Sequence, residues 1–541
     1  MALPSREPTH PSYFGIPKET PNGLQVDLIS SCNKRKSHVL CLQVLLTVQE
    51  GRVTINTLPN DVLVLIFYLD RMIHLDQHHP EDQIHWPWRW DRLVHVCQQW
   101  RSVVFASPSF LDLGLVCYPY TPIGLIGIWP PLPITITDDY PWNIGRSYDF
   151  GALFDAAFEH SDRVCKINLL CLTSSKLQRL ASAMQKPFPA LTHLELCVSA
   201  YGRMAPQALP DGFLDDSAPR LQSLGLNHIP FPALPQLLLS AADLVRLDLE
   251  RIPHSGYITP EVIVTGLAAL SNLESLTIEF HSPRSRPDRE SRRPPPLSRI
   301  ALPSLTCFQF KGVCEYLEDL LARIDAPSLE FILITFFHQL TFNIPQLAQF
   351  MRRTPNFQEL NEAHVDFEDF FVQVGYISPP RGIDDENLGL RISCEKLDWQ
   401  LSSLAHVFTS FFPSIHTVEN LYVYEPRDFS TLWDNAGNMQ LLEVFHPFTA
   451  AKNLYVGDKS QSHIARALRQ FVWGRMTEVL PSLQNIYLEG FDPLLCIQAG
   501  VREAISARRL SHPPITVSLW ERDFEWWGPD LPEGVSESGD N

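Results

Sequence analysis

The sequence predicts a mixed α/β chain: a short helical bundle first, then an irregular solenoid of strand–turn–helix repeats. Three observations predict it. Between Ile55 and Val116 two stretches place their apolar residues at helical spacing. From residue 151 onward a Leu-x-x-Leu-x-Leu pattern recurs at irregular intervals. The 45 prolines punctuate the chain throughout, which favours many short elements over few long ones.

Residues 1–50 are rich in Pro and Ser and read as a flexible leader. They carry the basic cluster Lys34-Arg35-Lys36, which reads as a solvated leader or, more sharply, a nuclear signal. Residues 38–48, HVLCLQVLLTV, are apolar enough to pack as a strand or helix, and nothing in the pattern places them. Met1 to Thr20 is polar, with no apolar core of the kind a signal peptide needs.

Residues 51–116 form the expected helical domain. Leu58-Pro59 opens the first helix, where a proline costs little because the first N–H has no intrahelical partner. Asn60 and Asp61 suit the positive end of the helix dipole. Leu63, Ile66 and Phe67 fall on one stripe, widened by Val62 and Leu65. In the second helix Leu93, Cys97, Trp100 and Val104 share a face, and Ser107-Pro108 stops it. The plain reading is a helical hairpin packed on itself.

Residues 71–90 separate the two helices as an insert. It holds His74, His78, His79 and His85 near Asp76, Glu81 and Asp82. Imidazole and carboxylate suit zinc, but this spacing matches no helix face or strand pair, and Pro80 and Pro87 interrupt it. A surface loop is expected, with Trp86, Trp88 and Trp90 plugging it onto the helices.

The residues L-P-x-D-V-L-x-x-I-F, V-C-x-x-W-R and A-S-P-S-F in this domain resemble the F-box motif. The resemblance covers residues 55–116 and departs from the family in the long connection 71–90, as in fungal F-box proteins. It implies docking on a Skp-type adaptor and, through it, a cullin. Leu58, Pro59, Val62, Leu63, Ile66 and Phe67 from the first helix are then the adaptor-binding candidates. Val96, Trp100 and Arg101 are the second set; some of these must instead hold the bundle together.

Residues 117–150 carry many Pro and Gly and one β-type run, Ile134 to Thr137, and read as a linker or irregular first cap. The array is expected over 151–520. Copies of the pattern start at Leu191, Leu221, Leu244, Leu273, Leu305 and Leu329, giving offsets of 30, 23, 29, 32 and 24 residues. Phe357 to Leu360 is degenerate, Leu483 to Leu488 returns to the pattern, and 415–424 and 452–457 read as two further strands. In each copy the last two apolar residues flank one outward residue, as a half-buried strand requires. Leu234, Leu237 and Leu238, or Val262, Leu267 and Leu270, suit helices on the far side. Varying offsets then mean varying helix length. The copies resemble the leucine-rich repeat in its irregular form, in which stacked neighbours bury what one unit cannot. Unrelated apolar strands of an α/β domain are the plain alternative.

Residues 281–299 hold six Arg, one Asp and one Glu without apolar periodicity, and read as a disordered, solvated loop between repeats. Phosphorylation or anion binding is the sharper alternative there. Residues 521–541 form an aromatic cap and acidic tail: Trp520, Phe524, Trp526 and Trp527 cover the last repeat, and GVSESGDN ends the chain.

A net charge of −18 argues against nucleic-acid binding. The 11 cysteines form no C-x-x-C pair, and no apolar run is long enough to span a bilayer, so cytoplasm or nucleus is expected. No nucleophile elbow, zincin, phosphate-loop or dinucleotide motif occurs, so no enzyme and no cofactor are expected. Glu195, Asp248, Glu250 and Glu279 fall at or beside outward strand positions, where water would keep their pKa ordinary and a basic segment of a target would find them. Together the resemblances imply a substrate-recognition subunit of a cullin–RING ubiquitin ligase. The alternatives are a repeat-built scaffold without an adaptor, or an enzyme whose strands close into an α/β barrel.

Overall fold

The structure is a computed structural model. It describes residues 58–76, 90–119, 121, 124–128, 130–138, 151–198, 207–287, 298–339, 342–358, 360–368, 370–377, 388–394, 397–411, 413–424, 443–457, 464, 479–489 and 515–520. The expected leader, most of the histidine- and tryptophan-bearing insert, the centre of the arginine-rich loop and the aromatic residues after Trp520 lie outside these. Two compact units meet in sequence between Asp112 and Leu113.

In the first unit α1 spans Asn60–Asp76, α2 Trp90–Val94 and α3 Gln98–Ala106. Helix α1 starts directly after Pro59, whose carbonyl accepts the Leu63 N–H at 3.1 Å. It runs on through residues 71–76, so the expected insert begins only after Asp76. Apolar Met72 and Ile73 continue the helical pattern there. The expected second helix is broken in two. Cys97 is extended, at φ −158° and ψ 172°, and its sulfur accepts the Trp100 N–H at 3.5 Å. Cys97 is therefore a cap, and Leu93 lies before the break. Leu63, Phe67, Val94, Val103 and Val104 are buried. Trp100 meets Phe67 edge-on at 4.8 Å. Gln99 donates to the Leu58 carbonyl at 3.3 Å and to Asn60 Oδ1 at 3.2 Å, tying α3 to the start of α1.

Among the described residues the second unit is built on a sheet of 16 strands. Its strands are β1 Leu115–Cys117, β2 Ile134–Thr137, β3 Val164–Leu172, β4 His193–Val198, β5 Ser223–Asn227, β6 Arg246–Ile252 and β7 Ser275–Phe280. The short pair β8 Ile300–Ala301 and β10 Ile324–Asp325 stands apart, between which comes β9 Cys307–Gly312. The sheet continues with β11 Phe331–Phe337, β12 Glu362–Phe367, β13 Phe371–Ile377 and β14 Leu388–Ser393. It ends with β15 Asn420–Tyr424, β16 Asn453–Val456, β17 Asn485–Glu489 and β18 Thr516–Trp520. Among the described residues this unit has, besides the single turn Leu125–Ile128, the helices α4 Gly151–Phe158, α5 Ser174–Ala183, α6 Leu234–Leu238, α7 Pro260–Leu267, α8 Cys314–Leu321, α9 Pro345–Arg353 and α10 Leu397–Phe411.

All sheet pairings are parallel except those of β13. Parallel neighbours need a crossover, which the helices and loops supply. The copies seen in the sequence become β4, β5, β6, β7, β9, β11 and β17, and the two further strands become β15 and β16. Leu194, Leu224, Leu247, Leu276 and Phe308 line up in register, and all are buried. Each such side chain contributes roughly 1.5–3 kcal/mol on burial, available only because its neighbours cover it.

The sheet begins at Leu115, inside the range expected to be helical, and 117–150 contains its second strand, Ile134–Thr137. Two expectations need correction. Offset does not track helix length: the 24-residue copy that starts at Leu305 carries the eight-residue α8, whereas the 32-residue copy that starts at Leu273 contains the 281–299 loop. Val262 is 46% exposed, and Ile263 takes the inward place expected of it. The sheet also runs from β1 at one end to β18 at the other without closing, which removes the barrel alternative.

The pattern fades after β11 for a topological reason. Spatial order there is β11-β14-β13-β12-β15. Helix α9 carries the chain past two vacant places, a meander fills them backwards, and α10 carries the chain on to β15. Four of the six β12 residues and five of the six β14 residues are buried, so neither strand keeps the in–out alternation of a repeat.

Candidate functional site

Outward residues of the repeat strands form three rows across the sheet, one residue per strand. On the early strands they include the charged residues Glu195, Arg246, Asp248, Glu250, Glu279 and Lys311. Glu195 on β4, Gly225 on β5 and Asp248 on β6 share one row. Asn227 and Glu250 are neighbours in the next, where Glu279 pairs with Lys311. The four carboxylates expected from the sequence are thus brought to one face. They are not bare acids in water. Asp248 is buried and bonded to the Arg246 guanidinium. Glu250 accepts the side-chain amide of Asn227. Burial pushes the Glu279 carboxyl above its usual range, opposed by Lys311 and reinforced by Glu250. The expectation of an ordinary pKa therefore fails at Glu279, because the neighbouring strands withdraw it from solvent.

The later strands carry a different surface. Asn420, Asn453, Asn485 and Thr516 are register partners on β15 to β18. Their side chains form a continuous ladder. Asn453 donates to Asn420 at 2.7 Å, Asn485 to Asn453 at 2.8 Å, and the Thr516 hydroxyl to Asn485 at 2.5 Å. Asn420 donates in turn to Glu362 at 3.3 Å. Two residues along each strand stand His364, Tyr422, Tyr455 and Tyr487. Successive rings stack at 4.3, 4.2 and 4.5 Å and lie within 11° of parallel. Strand spacing in a sheet is about 4.8 Å, so identical planar groups in register meet face to face without adjustment. Trp520 crosses this stack, its ring centre 5.4 Å from that of Tyr455 and 6.2 Å from that of Tyr424. Burial first, and the Glu362 carboxylate second, push the Tyr422 hydroxyl well above the usual tyrosine range, so that phenol stays protonated.

The sequence held the signal for both ladders: Asn420-Leu-Tyr422, Asn453-Leu-Tyr455 and Asn485-Ile-Tyr487 repeat the same spacing. Reading those segments only for buried residues passes over it, because both ladders use the positions between.

On the helical unit the nine adaptor candidates separate. Leu63 and Phe67 are buried within the bundle, and Trp100 packs on Phe67. Arg101 directs its Nε to the Val94 carbonyl at 3.0 Å. These four hold the bundle. Pro59 and Val96 are exposed, and Leu58, Val62 and Ile66 are half-buried. Val62, Ile66, Leu69 and Ile73 recur at i, i+4, i+7 and i+11 and make a second apolar stripe on α1, with Leu65 beside it at 44% exposure.

Among the described residues no group of three or more His, Cys, Asp or Glu could hold a metal ion, and no helix is long and apolar enough to cross a membrane. No protein-family model matches the chain, and no curated protein matches it. Among solved structures it is similar to the leucine-rich repeat-containing protein LegL7 from Legionella pneumophila. The identity is 15% over 63% of this chain and 90% of that one, with a TM-score of 0.26. At that score the likeness carries no argument about this chain.

Proposed function

We propose that this chain recruits a protein target to a cullin–RING ubiquitin ligase. The helical unit docks on a Skp-type adaptor, and the outward face of the repeat sheet holds the target. One observation carries the reading: α1 is apolar on two faces. Leu63 and Phe67 use one face internally, and Val62, Leu65, Ile66, Leu69 and Ile73 are left as anchors for a partner groove. The chain then contributes proximity, and bond chemistry belongs to its partners. That assembly belongs in the cytoplasm or nucleus.

The test is co-precipitation of the full chain with a purified Skp-type adaptor. Wild type is expected to retain adaptor, and the double variant Val62→Asp, Ile66→Asp to lose it while keeping its helical circular dichroism. Equal retention by both, or none by either, overturns the adaptor reading. A repeat-built scaffold without an adaptor is the second reading, favoured by the burial of two motif residues, Leu63 and Phe67, in the bundle core. It predicts no adaptor capture by either chain.

A further inference from the structure

We infer that the open edge of β18 is a docking site for an extended segment of the target, which joins the sheet as a further strand and carries an aromatic side chain between two aliphatic ones. This rests on the reading that the repeat sheet holds a protein target, and adds where the target docks and which side chains it must bring.

Strand β18 is the last of the sheet, and among the described residues it pairs only with β17. The Thr516 N–H donates to the Gln484 carbonyl at 2.8 Å. Backbone groups alternate sides along a strand, so Val517 and Leu519 turn their N–H and C=O away from β17. Such an edge is a template for another strand, and natural sheets commonly block it with a charge or a proline. Thr516 to Trp520 contains neither.

The side chains define what is missing. Val517 and Leu519 are register partners of Ile486 and Leu488 and therefore face the core. Ile486 and Leu488, with a strand on either side, are 2% and 5% exposed; Val517 and Leu519 are 42% and 59% exposed. Two aliphatic side chains one strand further on would cover them. On the outward side the ring stack stops at Tyr487. One face of that ring lies on Tyr455 at 4.5 Å. The other looks over β18, where the register partner is only Ser518. A ring above Ser518 would lie one strand spacing, about 4.8 Å, from Tyr487 and continue the stack. Trp520 shows the reach required: it leans from β18 across β17 to put its ring centre 5.4 Å from that of Tyr455.

The chain's own strands show which complement fits. Strands β15 and β16 both read Asn-Leu-Tyr-Val, and β17 reads Asn-Ile-Tyr-Leu. Strand β18 reads Thr-Val-Ser-Leu, keeping the aliphatic pair and lacking the ring. A segment of the form aliphatic–aromatic–aliphatic supplies the backbone pairing, the inward cover and the ring at once, which is strand addition with side-chain selection. A one-residue slip would send the ring inward and the aliphatic pair into water, so the register is fixed. A second copy of this chain, paired two-fold about Ser518, would set serine against serine and leave the place beside Tyr487 empty.

The experiment titrates the full chain into fluorescein-labelled peptides and follows anisotropy. The first peptide carries Lys-Asn-Leu-Tyr-Val-Gly, the sequence of residues 452–457. The second exchanges its Leu and Tyr, and the third carries Ala for Tyr. The first is expected to bind, the exchanged peptide about tenfold more weakly, and the alanine peptide several-fold more weakly. Leu519→Lys, at a position already exposed, is expected to weaken binding about tenfold. Ser518→Tyr completes the stack within the chain and should remove the advantage of the tyrosine peptide over the alanine peptide. In the free chain the Val517 and Leu519 amides should exchange fast, and slow when the first peptide binds. No binding of the first peptide, equal binding of the exchanged peptide, or indifference to Leu519→Lys overturns the proposal. So do protected Val517 and Leu519 amides in the free monomer, which would mean that the chain fills its own edge, and a dimer that Leu519→Lys dissociates, which would assign the edge to a second copy. Adaptor capture is read on the same proteins: Leu519→Lys must keep it, and the Val62, Ile66 double variant must keep peptide binding. Failure of either reading is therefore seen separately.

Discussion

Removing Asn453 tests whether the amide ladder acts as one connected object. Its side chain donates to Asn420 and accepts from Asn485, so Asn453→Ala removes two neutral hydrogen bonds. Each is worth about 1 kcal/mol net, giving about 2 kcal/mol, less what water recovers at these half-buried positions. Asn420→Ala also removes two, one to Asn453 and one to Glu362. The double variant removes three bonds rather than four, because the Asn420–Asn453 bond is shared. The sum of the single effects should therefore exceed the double effect by about 1 kcal/mol. Thr516→Val, at the end of the ladder, removes one bond and should cost about 1 kcal/mol or less. Repeat arrays open in parts, so the assay is native-state hydrogen exchange on peptides covering 415–424, 451–457 and 483–489. Strictly additive single variants, or unchanged protection of β16 amides in Asn453→Ala, would show that the amides are neighbours without being coupled.

Three further outcomes follow from particular contacts. Glu318 on α8 accepts the Gln346 and Leu347 N–H groups at 2.8 and 2.9 Å, capping α9 from the neighbouring repeat. Glu318→Ala should cost about 1–2 kcal/mol and show as lost exchange protection in the first turn of α9. Phe67→Ala should cost about 3–5 kcal/mol and melt the small helical unit, whereas Ile66→Ala should leave its circular dichroism intact. For Glu279 the sign is set by its raised carboxyl pKa: the folded state holds the proton more tightly, so its ionisation weakens the fold as pH rises from the unfolded pKa through the folded one. Glu279→Gln should therefore stabilise at pH 7 relative to wild type, and the difference should vanish near pH 4. A larger gain in acid would refute the assignment.

The repeat strands were legible because their inward residues obey one rule many times over. Leu194, Leu224, Leu247 and Leu276 need only a neighbour of the same kind, and the sequence shows that neighbour 23 to 30 residues away. The β12–β14 meander was not legible. Its strands are buried on both sides, and nothing local in Val365 or Leu390 states that β14 returns to lie beside β11 while β12 lies beyond it. The break at Cys97 was hidden for another reason: Leu93, Cys97, Trp100 and Val104 keep helical spacing across it, so periodicity reads through a turn that only backbone angles reveal.

The same contrast explains where specificity lies. Inward positions repeat because burial rewards sameness, and so they carry no information about a partner. Outward positions are released from that demand, yet on β15 to β17 they repeat as well, as Asn-x-Tyr three times over. Stacked amides and rings hold one another at strand spacing with little freedom left to lose on binding. Glu489 and Trp520, register partners on β17 and β18, break that repetition. If Tyr455→Leu, which removes the middle of the ring stack, left the exchange protection of the β15 and β17 amides unchanged, the rings would be neighbours without being coupled. The expected result is lower protection on both flanking strands, because each loses a ring it stacks on.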